Sequence, residues 1–111
     1  MIDSYSFGSI VINGKTYTSD VIVFPDKVQD LWWRKKGHLL QIDDLYSILS
    51  YQPHILIIGT GAYGLMKIPE ETREFISNKG IKLYSDKTAK ACTFYNTMKK
   101  KKLVAAFHIT C

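Results

Sequence analysis

The sequence predicts an α/β domain: a largely parallel or mixed sheet covered by helices, with an antiparallel β portion at its N-terminal end. Three observations carry this reading. Ile55, Leu56, Ile57 and Ile58 form a continuous apolar run, as a strand buried on both faces does. A second such run occupies residues 103–109. Between them, two amphipathic segments with helix start and stop residues flank a short β-forming segment at 81–84. The order strand–helix–strand–helix–strand calls for right-handed crossovers and helices lying on the sheet.

The elements follow in order. Residues 6–13 alternate Gly8, Ile10 and Ile12 with Phe7, Ser9 and Val11, the period of a two-faced strand. Asn13-Gly14 supplies the residues that tolerate positive φ in a hairpin turn, and 15–18 is the returning strand. Ser19-Asp20 interrupts it. Residues 21–24 form another apolar run, closed by Pro25-Asp26-Lys27. The first quarter thus reads as an antiparallel unit of about three strands. In 28–40 the adjacent Leu31, Trp32 and Trp33 suit a strand or an irregular packed segment better than a helix face.

Residues 42–51 read as a helix capped by Asp43, with Leu45, Ile48 and Leu49 on one face and Pro53 as its stop. After the strand at 55–58, Gly59, Gly61 and Gly64 read as a loop. Pro69 fits the first turn of a helix with Glu70, Glu71 and Glu74 near its positive end. Thr72, Phe75, Ile76 and Lys79 share a face, and Gly80 is the stop. A strand at 81–84 follows. Ser85 or Asp86 caps the last helix, whose apolar face is Ala91, Cys92, Tyr95 and Met98. The lysines at 99–102 complement its negative end. The run at 103–109 reads as a central strand.

Bulk properties agree. At 111 residues, one domain spanning 1–111 with one main core is expected. A hydrophobic share of 46% with 23% charged residues excludes a disordered or low-complexity chain. No run of about 18 apolar residues occurs, so no membrane span is expected. The start, MIDSYSFGS, lacks the basic beginning and apolar middle of a signal peptide, which makes the cytoplasm the expected location. Cys92 and Cys111 form no CxxC pair and read as free thiols. A net charge of +5 favours anionic partners by steering.

The candidate sites are two. Gly59-x-Gly61-x-x-Gly64 follows a strand, and Asp86 lies 22 positions after Gly64 (86 − 64), the outline of a dinucleotide fingerprint. Pro69 argues against it, because the fingerprint helix starts within the glycines and Pro69 starts it downstream. Two mononucleotide halves are also missing. The glycines then read as a tight turn. Even so, ligands of α/β sheets bind beyond the carboxyl ends of strands. Gly59, Thr60, Gly61, Tyr63 and Gly64 are therefore candidate ligand-binding residues, through the two hydroxyls and through loop N–H groups that hold an anion. The second candidate is Arg34 with His38, a guanidinium and an imidazole beside Trp32 and Trp33, suited to a carboxylate or phosphate. The competing reading is core tryptophans next to a solvated basic turn.

Other constellations fall away. The lysines at 99–102 are explained by a helix terminus, and no aromatic platform accompanies them, so nucleic acid is not an expected partner. His38, His54, His108 and Cys111 lack metal-ligand spacing. Neither a metal nor another cofactor is expected. His108-x-x-Cys111 is a Cys–His pair whose nucleophilic use needs a pocket that spacing alone does not supply. Glu70, Glu71 and Glu74 are helix-start charges, and no catalytic residue is assigned.

Five stretches together bring a family into view: FGSIVINGKTYTSDVIVFPD, WWRKKGHLLQIDDL, ILIIGTGAYG, ACTFYN and LVAAFHITC. They resemble the small-domain family that includes the adipogenesis-associated domain-containing protein and a mitochondrial respiratory complex I assembly factor, with uncharacterised archaeal and bacterial members. The resemblance implies a three-layer α/β fold around a central mixed sheet, with the N-terminal strands as its antiparallel portion. It implies no established reaction, and its eukaryotic members look like assembly or regulatory factors acting through partners. MIDSYSFGS does not read as a mitochondrial presequence, so the complex I role is not carried over. The expected function is a non-enzymatic binding or interaction domain with a protein partner. The alternative is a small-molecule or anion-binding protein, an enzyme included, with its pocket between the glycine loop and Trp33-Arg34…His38.

Overall fold

The computed structural model describes residues 1–98 and 102–111. The elements in chain order are β1 (Ile2–Ser6), β2 (Ser9–Ile12), β3 (Lys15–Tyr17), β4 (Val21–Val23) and β5 (Val28–Gln29). A 3₁₀ turn (Ile42–Leu45) then leads into α1 (Tyr46–Tyr51) and β6 (Ile55–Thr60). The remainder is α2 (Glu70–Asn78), β7 (Lys82–Asp86), α3 (Thr88–Thr97) and β8 (Leu103–His108). Strands β1, β2 and β3 form an antiparallel sheet, and the other five form a mixed sheet in the order β5-β4-β8-β6-β7. β6 runs parallel to both β7 and β8, whereas β4 is antiparallel to β8.

Alternation along the buried strands divides the core in two. Leu56 and Ile58 of β6, Val104 and Ala106 of β8 and Ile22 of β4 face the side covered by α1, α2 and Trp32. Ile57, Ala105, Phe107, Val21 and Val23 face the other side, where Ile2, Ile10 and Ile12 of the small sheet pack with Ala91 and Cys92 of α3. The mixed sheet is thus the middle layer of three, and β6 and β8 are apolar up to their carboxyl ends, at Thr60 and His108, because both faces are covered. Among the described residues no helix is long and apolar enough to cross a membrane.

Several boundaries differ from expectation. The strand read at 6–13 is two strands. A turn at Phe7-Gly8, with Gly8 at φ +80°, reverses the chain inside a pattern whose alternation runs straight through it. β1 was not expected, since Ser4, Tyr5 and Ser6 carry little strand signal. β4 leaves the antiparallel unit and joins the mixed sheet beside β8. The segment 42–51 begins as 3₁₀, and its starting turn is held by the Asp44 carboxylate, which accepts the Gln41 N–H at 2.8 Å. Asp43 instead forms an exposed ion pair with Lys35. Gln52, at φ +58°, ends the helix one residue before Pro53. Ser85 and Asp86 belong to β7, and α3 starts at Thr88 behind Lys87. Of the lysines assigned to the end of α3, residues 99–101 lie outside the described residues.

Candidate functional site

The parallel pairing of β6 with β8 aligns Thr60 with His108, so both strands end side by side at their carboxyl ends. Residues 108–111 continue from there and are gripped from several directions. The Gly8 N–H donates to Ile109 O at 2.8 Å, the Ala62 N–H donates to Thr110 O at 2.7 Å, and the Tyr5 hydroxyl donates to Ile109 O at 3.0 Å. From the far side, the Ile109 N–H donates to Asp20 Oδ1 at 2.8 Å. The turn between β1 and β2, the glycine loop and the residue just before β4 therefore converge on one short segment.

The glycines act within this junction. Gly59 lies in β6 rather than in the loop; a Cβ there would stand 2.8 Å from a Phe107 ring carbon and 2.9 Å from Thr88 Oγ1. Gly61 has φ +106°, and a Cβ on it would come within 2.6 Å of Cys111 O. Both are glycine because the backbone approaches its neighbours too closely for a side chain. The loop's N–H groups serve the same end. Gly61 donates to Thr88 Oγ1, Ala62 to Thr110 O, Gly64 to Gly61 O and Met66 to Thr60 O. Of the hydroxyls, Thr60 Oγ1 donates to Asp86 O, and Tyr63 stands exposed with its ring 6.2 Å from Phe7. Thr88, which spacing did not single out, ties three elements. It accepts from Gly61 and donates to His108 O at 2.6 Å while fully buried.

On the other flank of residue 108 lies a buried charged cluster. Asp20 Oδ2 accepts from Arg34 Nη2 at 2.7 Å and from His108 Nδ1 at 2.8 Å. The guanidinium lies over the Trp32 ring at 4.7 Å, and its Nε and Nη2 donate to Gly37 O. Burial pushes the Asp20 carboxyl up, but hydrogen bonds from His108, the Ile109 N–H and Arg34 outweigh it and hold the group below the usual carboxylate range. His38 is exposed, edge-on to His108 with ring centroids 5.8 Å apart and its Nε2 3.6 Å from Cys111 Sγ. A cleft of about 300 Å³ opens beside the cluster, lined by Asp20, Arg34 and His108 with Leu31, Trp32 and Trp33. Arg34 and the glycine loop thus reach opposite flanks of the same segment, and the loop residues do not line this cleft. Asp20 and His108 complete the cluster, and spacing could not pair them across 88 positions; the one cue was a carboxylate placed directly before a fully apolar strand. Among the described residues no group of three or more His, Cys, Asp or Glu side chains is arranged to hold a metal ion.

A mixed five-stranded sheet layered between helices and a small antiparallel sheet is the fold of a recurrent class of small α/β protein. A conserved hypothetical protein of Pyrococcus horikoshii superposes with a TM-score of 0.85 over 100% of this chain and 99% of its own, at 23% identity. The Rpa2829 protein of Rhodopseudomonas palustris gives 0.81 over 96% and 81%, at 25% identity. The chain belongs to the family described as protein of unknown function DUF498/DUF598, which matches residues 2–108. Its curated relatives include NADH dehydrogenase (ubiquinone) 1 alpha subcomplex assembly factor 3 of Danio rerio, 29% identical over 109 residues and 96% of this chain. The Xenopus tropicalis protein of the same name is 26% identical over 108 residues and 95% of the chain. This chain spans 61% and 57% of the length of those two relatives. The family is the one the five sequence stretches resemble.

Proposed function

We propose that this chain is a non-enzymatic interaction domain of the assembly- or regulatory-factor kind, holding a protein partner on the surface around residues 108–110. One observation carries the reading: among the described residues, four of the seven large apolar side chains left exposed, Phe7, Leu31, Trp33 and Tyr63, flank that segment. Trp33 is 79% exposed and Leu31 57%, and both line the cleft with Ile109 and Thr110. Phe7 precedes the glycine that bonds Ile109, and Tyr63 follows the alanine that bonds Thr110. Clustered exposed aromatics are the usual mark of a protein-binding surface. The names of the curated relatives support the assembly sense. Cys92 and Cys111, both free thiols, suit a reducing compartment such as the cytoplasm.

The test is crosslinking in the source cells with tagged chain, comparing wild type with a Trp33→Ser/Tyr63→Ser double variant of equal Tm. One specific partner, recovered in fixed proportion by wild type and reduced at least about tenfold with the variant, is the expected result. Equal recovery by both chains overturns the reading.

A further inference from the structure

We infer that Arg34 and His108 form the recognition end of a site for a small carboxylate with an apolar body, which binds together with one proton. Two buried atoms carry the inference. Arg34 Nη1 and His108 Nε2 have no hydrogen-bond partner among the described residues. Their side chains are only 3% and 6% exposed. Buried polar atoms are nearly always paired, so two orphans on adjoining side chains mark a place where something else supplies the partner. Both residues line the cleft whose walls include Leu31, Trp32 and Trp33, which would receive the apolar body.

The protons can be placed. Arg34 Nη2 has two N–H groups, one given to Asp20 Oδ2 and one to Gly37 O. His108 Nδ1 lies 3.0 Å from that nitrogen and cannot accept from it, so Nδ1 carries a proton and donates to Asp20 Oδ2. A neutral His108 then presents a bare lone pair at Nε2. The cluster as a whole is neutral, with Asp20 balancing Arg34. A carboxylate entering it would be an uncompensated buried charge. Protonation of Nε2 removes that obstacle, since it adds a donor and the matching positive charge, while Asp20 steadies the imidazolium. A singly charged carboxylate is balanced by that one proton, whereas a phosphate dianion is not. The groups facing His108 are Asp20, Arg34 and His38, with Cys111 behind His38 and Tyr5 across Ile109. This site does not depend on the protein-partner reading.

Calorimetric titration of the full chain with benzoate tests it, in two buffers of different ionisation heat and at several pH values. Benzoate is expected to bind with uptake of about one proton, so its affinity should fall with rising pH by up to about tenfold per unit. Benzamide should bind much more weakly. Trp33→Ala, on the surface, should weaken benzoate severalfold without changing Tm. His108→Asn, which keeps an N–H for Asp20 but lacks Nε2, should abolish the proton uptake. No heat with about 10 mM benzoate at low pH overturns the site. So does binding that is independent of pH, matched by benzamide, or unchanged in both variants.

Discussion

Cys92 and Cys111 show how differently two free thiols behave in one small protein. Cys92 sits on the α3 face packed against Ala91 and Ile57, and burial pushes its thiol up to about 12. Cys111 is half-exposed beside His38. A thiol reagent at neutral pH should therefore label Cys111 quickly and Cys92 only after denaturation. Rapid labelling of both in the folded protein would show that α3 is not packed as described. At this scale the sequence was legible in part. Arg34 and His38 were singled out by type and by their tryptophan neighbours. His108 was weighed only with Cys111 and the other histidines, and Asp20 only as a break between strands, because a carboxylate and an imidazole become a pair only when β4 and β8 lie side by side. The glycines carried a true signal of close approach, but they do not say what is approached. Here it is Thr88, Phe107 and Cys111.

Among the elements, those with strong periodicity were legible and those defined by long-range pairing were not. β6, β8 and α2 follow from apolar runs and from the Pro69 and Gly80 boundaries. β1 does not, since its pairing with β2 and the clasp of Asn96 on both the N–H and the carbonyl of Ile2 lie outside any local pattern. The central position of β6 has a direct consequence. Ile57 is 1% exposed and packs with Ala105, Phe107 and Ala91, so Ile57→Ala should lower the unfolding free energy by ~2–5 kcal/mol in urea titration. A loss below ~1 kcal/mol would mean that the face between β6 and α3 is loosely packed.

For the whole molecule, Asp20 is where acid acts. Its carboxyl is held below the ordinary range in the folded chain, so the unfolded chain binds the proton more readily. The stabilisation it contributes is present above the unfolded value of about 4 and is lost as the pH falls through the lower folded value. The urea midpoint of wild type should therefore drop steeply on acidification below about pH 4, and Asp20→Asn, already destabilised at neutral pH, should show a shallower drop. An acid limb identical in both proteins would place the lability elsewhere.

β8 lies between β4 and β6 and carries residues from both halves of the core, although it is the last strand in the chain. During synthesis, β4 and the three strands before it therefore emerge long before the element that holds them. Val21 awaits Phe107, Asp20 awaits His108 and Ile109, and Gly8 awaits Ile109. The small sheet and the edge of the large one therefore dock fully only once β8 has paired between β4 and β6.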